Sequence, residues 1–197
     1  CVTIDTNKMY NIVISIFIYE FLVNIGGKSQ CANIVLLCAR IVVSGWSEMV
    51  HSMFVAVERG SGALVTALVL PLLSLKLKID DINIGIWTSI FLSLRYISLA
   101  FSKSISLIFS TNIPGSVDSL TSVLVRTTLS KNVSHEYLGK CFGIYYIVED
   151  LGVMIGYVSA LNVFTVTYTV YPGIVFLVLM AANMFGLMLL VTIKHKH

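Results

Sequence analysis

The 197-residue chain is poor in charge. Asp, Glu, Lys and Arg make up 12% of it and hydrophobic residues 57%, with a mean hydropathy of +0.91. A soluble domain carries about 25% charged residues, so most of this surface is not built to face water. A net charge of +3, with no basic soluble face, excludes nucleic-acid binding. Cysteine is scarce as well. Cys1, Cys31, Cys38 and Cys141 form no redox or metal motif. Cys31 and Cys38, seven residues apart on one helix face, read as packing thiols. H-E-x-x-H, G-x-S-x-G and paired metal ligands are missing, so no enzyme, metal or cofactor is expected.

Apolar length is what the chain has. The runs are long enough for helices rather than barrel strands, and an all-α membrane protein is expected. Six spans are predicted: Ile34–Val55, Ala63–Leu75 with Pro71, Ile84–Phe101, Ile105–Leu124 broken at Pro114-Gly115, Gly139–Phe164 and Gly173–Ile193. Between the first two, Glu58-Arg59-Gly60-Ser61-Gly62 reads as a turn. Upstream, Met9–Val23 is about fifteen residues long, short of the ~20 a span needs. Glu20 interrupts it and no small-residue cleavage site follows, so no cleaved leader is expected. Residues 1–33 are therefore set apart from 34–193, and 194–197 are read as a tail. Beginning at Cys1 rather than Met, the chain is expected to be incomplete.

Charge placement orients the spans. Lys76, Lys78, Lys131, Lys140, Lys194 and Lys196 lie after spans two and four and in the tail. Only Arg59 and Lys103 lie in the other turns. The positive-inside rule puts the lysine-rich side in the cytoplasm. The sequon Asn132-Val133-Ser134 then lies out of reach of the lumenal enzyme and is expected to stay unmodified.

Val125–Asp150 holds the densest charge. Glu149 lies ten residues into an apolar run, about 15 Å along a helix and near mid-bilayer. A carboxylate there costs roughly 2.5–3.5 kcal/mol and tends to mark a pathway or proton relay. Gly152, Gly156 and Ala160 form a small-residue stripe beside it that lets a helix approach closely. Glu149 is thus aimed into the bundle, as a proton carrier or as the ion-pair partner of Arg95 or Arg40. Asp150 is rotated about 100° away and cannot face the same partner. Asp118 lies eight residues before Arg126 on roughly the same face, as an ion-pair partner or as polar packing beside Pro114. Arg126 itself lies at a span end, where a guanidinium can simply snorkel. Arg40 and Glu48, eight apart, are expected on one face of the first span. Lys131, Glu136 and Lys140 are expected to hold a turn rigid.

Residues 126–142 read R-x-x-L-S-K-x-V-x-x-E-x-x-G-K-x-F, followed by Glu149, Thr167, Tyr171-Pro172-Gly173 and Phe176-Leu177. This pattern resembles the tenth to twelfth helices of the major facilitator superfamily. It is closest to the branch with the proton-coupled folate transporter, the thymic stromal cotransporter homologue and a lysosomal relative. Weaker similarity runs back to Ile34. The resemblance implies the C-terminal six-helix half of a secondary carrier, with a missing N-terminal half as partner and alternating access. It implies a small organic solute, protons as coupling ion, and a plasma or lysosomal membrane. It matches Arg126 to an arginine tied to proton coupling and substrate binding. Met53–Ser61 is shorter than in that branch, and Val43 stands where the folate carrier has a functional histidine, so folate is not implied. The pathway residues expected are Arg126, Glu149, Asp118, Arg40 and Glu48. The alternative is a transport-incompetent, truncated carrier acting as a membrane interaction protein.

Overall fold

The computed structural model describes residues 6–26, 31–73 and 80–195, and all the regular structure among them is helical. In chain order the helices are α1 (Thr6–Ile25), α2 (Cys31–Val42), α3 (Glu48–Leu64), α4 (Asp81–Phe101), α5 (Ile105–Ser110), α6 (Asn112–Gly115), α7 (Asp118–Asn132), α8 (His135–Thr167) and α9 (Ile174–His195). A π-helical turn, Val65–Val69, continues α3. Four stretches are long and apolar enough to cross a membrane: Glu48–Val69, α4, α8 and Ile174–Thr192. Val13–Ile25 and Ala32–Val42 are apolar but shorter.

The expected span Ile34–Val55 is two helices. Gly45 at φ 83° takes a left-handed turn that other residues resist, and α2 ends before it. Ser47 then caps α3: its hydroxyl accepts from the Val50 amide at 3.3 Å, and Glu48 sits in the positive first turn. The expected turn Glu58–Gly62 is helix instead, inside α3, and the expected span Ala63–Leu75 starts within that same helix. Charge, glycine and serine resemble a turn there only in composition. The expected tail is also helical at its start, since α9 runs through Lys194 and His195. Lys76, Lys78 and Lys196 lie outside the described residues. The break at Pro114-Gly115 is present, and it divides the segment into α5, α6 and α7.

In the segment set apart before Ile34, helix α1 packs against α8, α9 and α7. Ile16, Tyr19, Glu20, Val23 and Asn24 are all buried. The stripe on α8 exists to receive it. A Cβ at Gly156 would stand 2.7 Å from the Asn24 carbonyl oxygen and 2.8 Å from Ile25 Cα, and one at Gly152 would stand 2.9 Å from Asn24 Cβ. Only glycine lets these backbones come so close. Helix α9 fits the other side of α1, with Gly186 against Val23 and Tyr19.

Contacts between helix ends show which ends share a side. Lys131 at the end of α7 pairs with Asp81 at the start of α4 at 2.6 Å. At the opposite side, Tyr171 before α9 donates to the Ala100 carbonyl near the end of α4. Cys38 near the end of α2 donates to the Pro172 carbonyl at 3.5 Å. Buried Asn183 of α9 donates to the Ser89 carbonyl at 2.9 Å and to Ser93 Oγ at 2.8 Å, which ties α9 to α4. A buried amide is costly unless bonded in this way.

Candidate functional site

One cavity stands out by size and chemistry. It holds about 320 Å³ and is lined by Asn24, Ala32, Glu58, Arg59, Gly62, Ala63, Gly115, Asp118, Ser119, Ser122 and Glu149. Two other crevices, of about 30 and 40 Å³, are mostly apolar. The walls of the polar cavity come from helix ends and from the half-buried carboxylates Glu58, Asp118 and Glu149. Asn24 and Ala32 flank the junction between α1 and α2. Gly115, Asp118 and Ser119 flank the junction between α6 and α7. Glu58 to Ala63 lead into the π-helical turn, and Glu149 lies near the middle of α8. Breaks in regular helix of this kind, π-turns included, concentrate at functional sites.

Local hydrogen bonds join two of the cavity walls. Ser119 Oγ donates to the Gly62 carbonyl at 2.9 Å, and Thr66 Oγ lies 2.8 Å from it. That knits the α3 end to α7. Asp118 heads α7, where a carboxylate is favoured by the helix dipole. Behind the cavity wall, fully buried Arg95 of α4 meets Glu58 of α3 at 2.5 Å. Gly115 makes room for it, because a Cβ there would stand 2.7 Å from Arg95 Nη1. Arg95 therefore pairs with Glu58, where the sequence offered it as one of two alternative partners of Glu149.

The second charge network lies on the α8 side. The Arg126 guanidinium sits 5.7 Å from the Tyr145 ring centroid and 5.3 Å from that of Tyr146, within cation–π range. It is within electrostatic reach of Glu149. Its buried Nε makes no hydrogen bond among the described residues. Tyr145 is fully buried, and its hydroxyl donates to Glu20 Oε1 at 3.3 Å. Asn24 Nδ2 donates to the same oxygen at 3.1 Å. Glu20, Tyr145, Arg126 and Glu149 thus form one connected set, and Asn24 joins it to the cavity.

Of the five residues expected from the sequence, Asp118 and Glu149 line the cavity, and Arg126 adjoins it through Tyr145 and Glu149. Arg40 and Glu48 do not belong to it. They pair with each other at 2.6 Å across the bend from α2 to α3, with 47% and 85% of their side chains exposed. They sit in different helices, so the expected common face does not exist. Sequence reasoning missed Asn24, Glu58 and Tyr145 for this region, and named Glu20 and Arg95 without the partners they have here. The signal for Glu20 was present: a carboxylate inside an apolar run, at a place where burial demands partners. Comparison of the chain with protein-family models and with curated proteins finds no match.

Proposed function

We propose that the protein is the helical half of a secondary carrier for a small, polar organic solute, coupled to protons. One observation carries the reading: residues of α1, α2, α6 and α7 meet Glu58, Asp118 and Glu149 around one polar cavity, where the segment α5–α7 is interrupted. Carriers build midplane sites from discontinuous helices, whose free backbone groups and helix ends face the solute. Irregular backbone at that depth is tolerated only where it lines a cavity or is buried in protein.

In this reading α1 and α2 together cross the bilayer once, as do α5 to α7. With α3, α4, α8 and α9 this makes six crossings. The end-to-end contacts support the alternation, since Lys131 meets Asp81 at one side and Tyr171 meets Ala100 at the other. The lysine-rich side is then cytoplasmic. Glu149 and Asp118 face solute and protons, while Arg126 answers Glu149. Solute passes between this bundle and a second six-helix half.

The test is solute-driven proton flux. The full-length protein is reconstituted in vesicles holding a pH dye and challenged with small carboxylates, amines and zwitterions. At least one class should move protons inward. A folded, correctly inserted protein that passes none of them would leave the interaction-protein reading in its place.

A further inference from the structure

The polar cavity carries charge of both signs. Among the described residues its lining has one cation, Arg59 of α3, and three carboxylates, Glu58, Asp118 and Glu149. Arg59 is exposed and lies roughly 15 Å from either end of the stretch Glu48–Val69. At that depth it is too far from an interface to snorkel, and a charge so placed belongs to a water-filled cavity. Arg59 makes no ion pair among the described residues. Its neighbour Glu58 is turned about 100° around the helix and is held by Arg95 at 2.5 Å.

We propose that the cavity takes a zwitterion, a small solute with a carboxylate for Arg59 and an ammonium for Asp118 and Glu149. The planar guanidinium matches a carboxylate with two parallel hydrogen bonds. The ammonium meets the two carboxylates supplied by α7 and α8. Both of these are already engaged within the protein, and Arg126 lies within electrostatic reach of Glu149. A carboxylate has about four acceptor positions, however, and can take a further donor.

Solutes of a single charge fit less well. A plain anion satisfies Arg59 but brings like charge to a lining that is mostly carboxylate. A plain cation satisfies the carboxylates and leaves Arg59 without an answer. A site built to pair both ends of a solute rejects the analogue that lacks one. Size agrees with a small solute, since about 320 Å³ is at the lower end of ligand pockets. The assignment rests on the transport reading for its purpose, though binding alone needs no transport.

The experiment is thermal unfolding of the full-length protein in lipid nanodiscs at constant ionic strength, with matched probes. One set is alanine, alaninamide and propionate, and the other is leucine, leucinamide and isocaproate. A ligand held only by the folded state raises the midpoint. At least one zwitterion should do so at a concentration about tenfold lower than its own amide or acid requires. Arg59→Gln should abolish that advantage, and Arg59→Lys, which keeps the charge but loses the fork, should reduce it. Without any probe, Arg59→Gln should unfold at the unchanged midpoint, because Arg59 is exposed and makes no ion pair among the described residues. A fall as large as that in Glu58→Gln would mean that Arg59 pairs with a carboxylate elsewhere in the protein, and would overturn the proposal. An equal advantage in Arg59→Gln, or no response to either zwitterion, overturns it as well. An Arg59-dependent shift in a protein that moves no solute would sustain this site while defeating the transport reading. Proton flux driven by propionate or alaninamide, but by neither zwitterion, would sustain transport while overturning this site.

Discussion

Along the seam between α4 and α9, a methyl group at Gly85 would come within 3.2 Å of Leu190, and Asn183 reaches Ser89 and Ser93 at under 3 Å. Across the bundle, Glu58, Asp118 and Glu149 stand around about 320 Å³ of space. Both regions are polar groups inside an apolar fold, yet they are satisfied differently. The seam uses short, neutral hydrogen bonds between straight helices, and these allow one geometry. The cavity side uses ion pairs and cation–π contacts between broken helices, where a charge can exchange one partner for another. The first arrangement gives a fixed frame, and the second is where the proposed transport function would require charges to change partners.

Substitutions can break this contrast in order of expected size. Gly156→Leu should have the largest effect, because the obstacle is the backbone of Asn24 and Ile25, which cannot rotate aside. Its cost should exceed the roughly 1–3 kcal/mol typical of overpacking, with α1 losing its place. Thermal unfolding in detergent would register this as a collapse of yield or a large drop in midpoint. Glu58→Gln comes next. It removes the charge paired with fully buried Arg95, and breaking a buried pair costs about 3–5 kcal/mol. A companion Arg95→Met change should recover much of that loss, which a double-mutant cycle would reveal. Asn183→Leu should cost about 1 kcal/mol, the scale of a hydrogen bond between membrane helices, and should leave any proton response unchanged. The smallest effect belongs to Lys131→Ala. Its partner Asp81 is mostly buried, but the lysine is 63% exposed, and exposed pairs contribute roughly 0–1 kcal/mol.

The sequence made some of this legible. The stripe Gly152, Gly156 and Ala160 pointed to a close helix neighbour, and α1 supplies it. The depth of Glu149 and Asp118 pointed inward, and both line one cavity. Pro114-Gly115 marked a real break. The errors share a cause, which is that run length was counted without regard to interruptions. Met9–Val23 looked short because the apolar run was counted alone, whereas α1 covers Thr6–Ile25 and a second apolar helix, α2, covers Cys31–Val42. Ile34–Val55 looked like one span because a left-handed Gly45 leaves hydropathy untouched. Glu58 and Arg59 looked like a turn because the partner of Glu58 lies 37 residues away, in a helix that no local pattern connects to it. Buried charge was legible as an anomaly, while its partner was a tertiary fact.

The proposed transport reading is tested most directly at Glu149. In the full-length protein, Glu149→Gln should reach its membrane at normal abundance and still exchange solute, while the pH dependence of uptake flattens. Surface abundance and pH-dependent uptake are measured together on the same cells. Disappearance of the protein would assign Glu149 to structural pairing alone. Normal abundance with an unchanged pH profile would contradict the account.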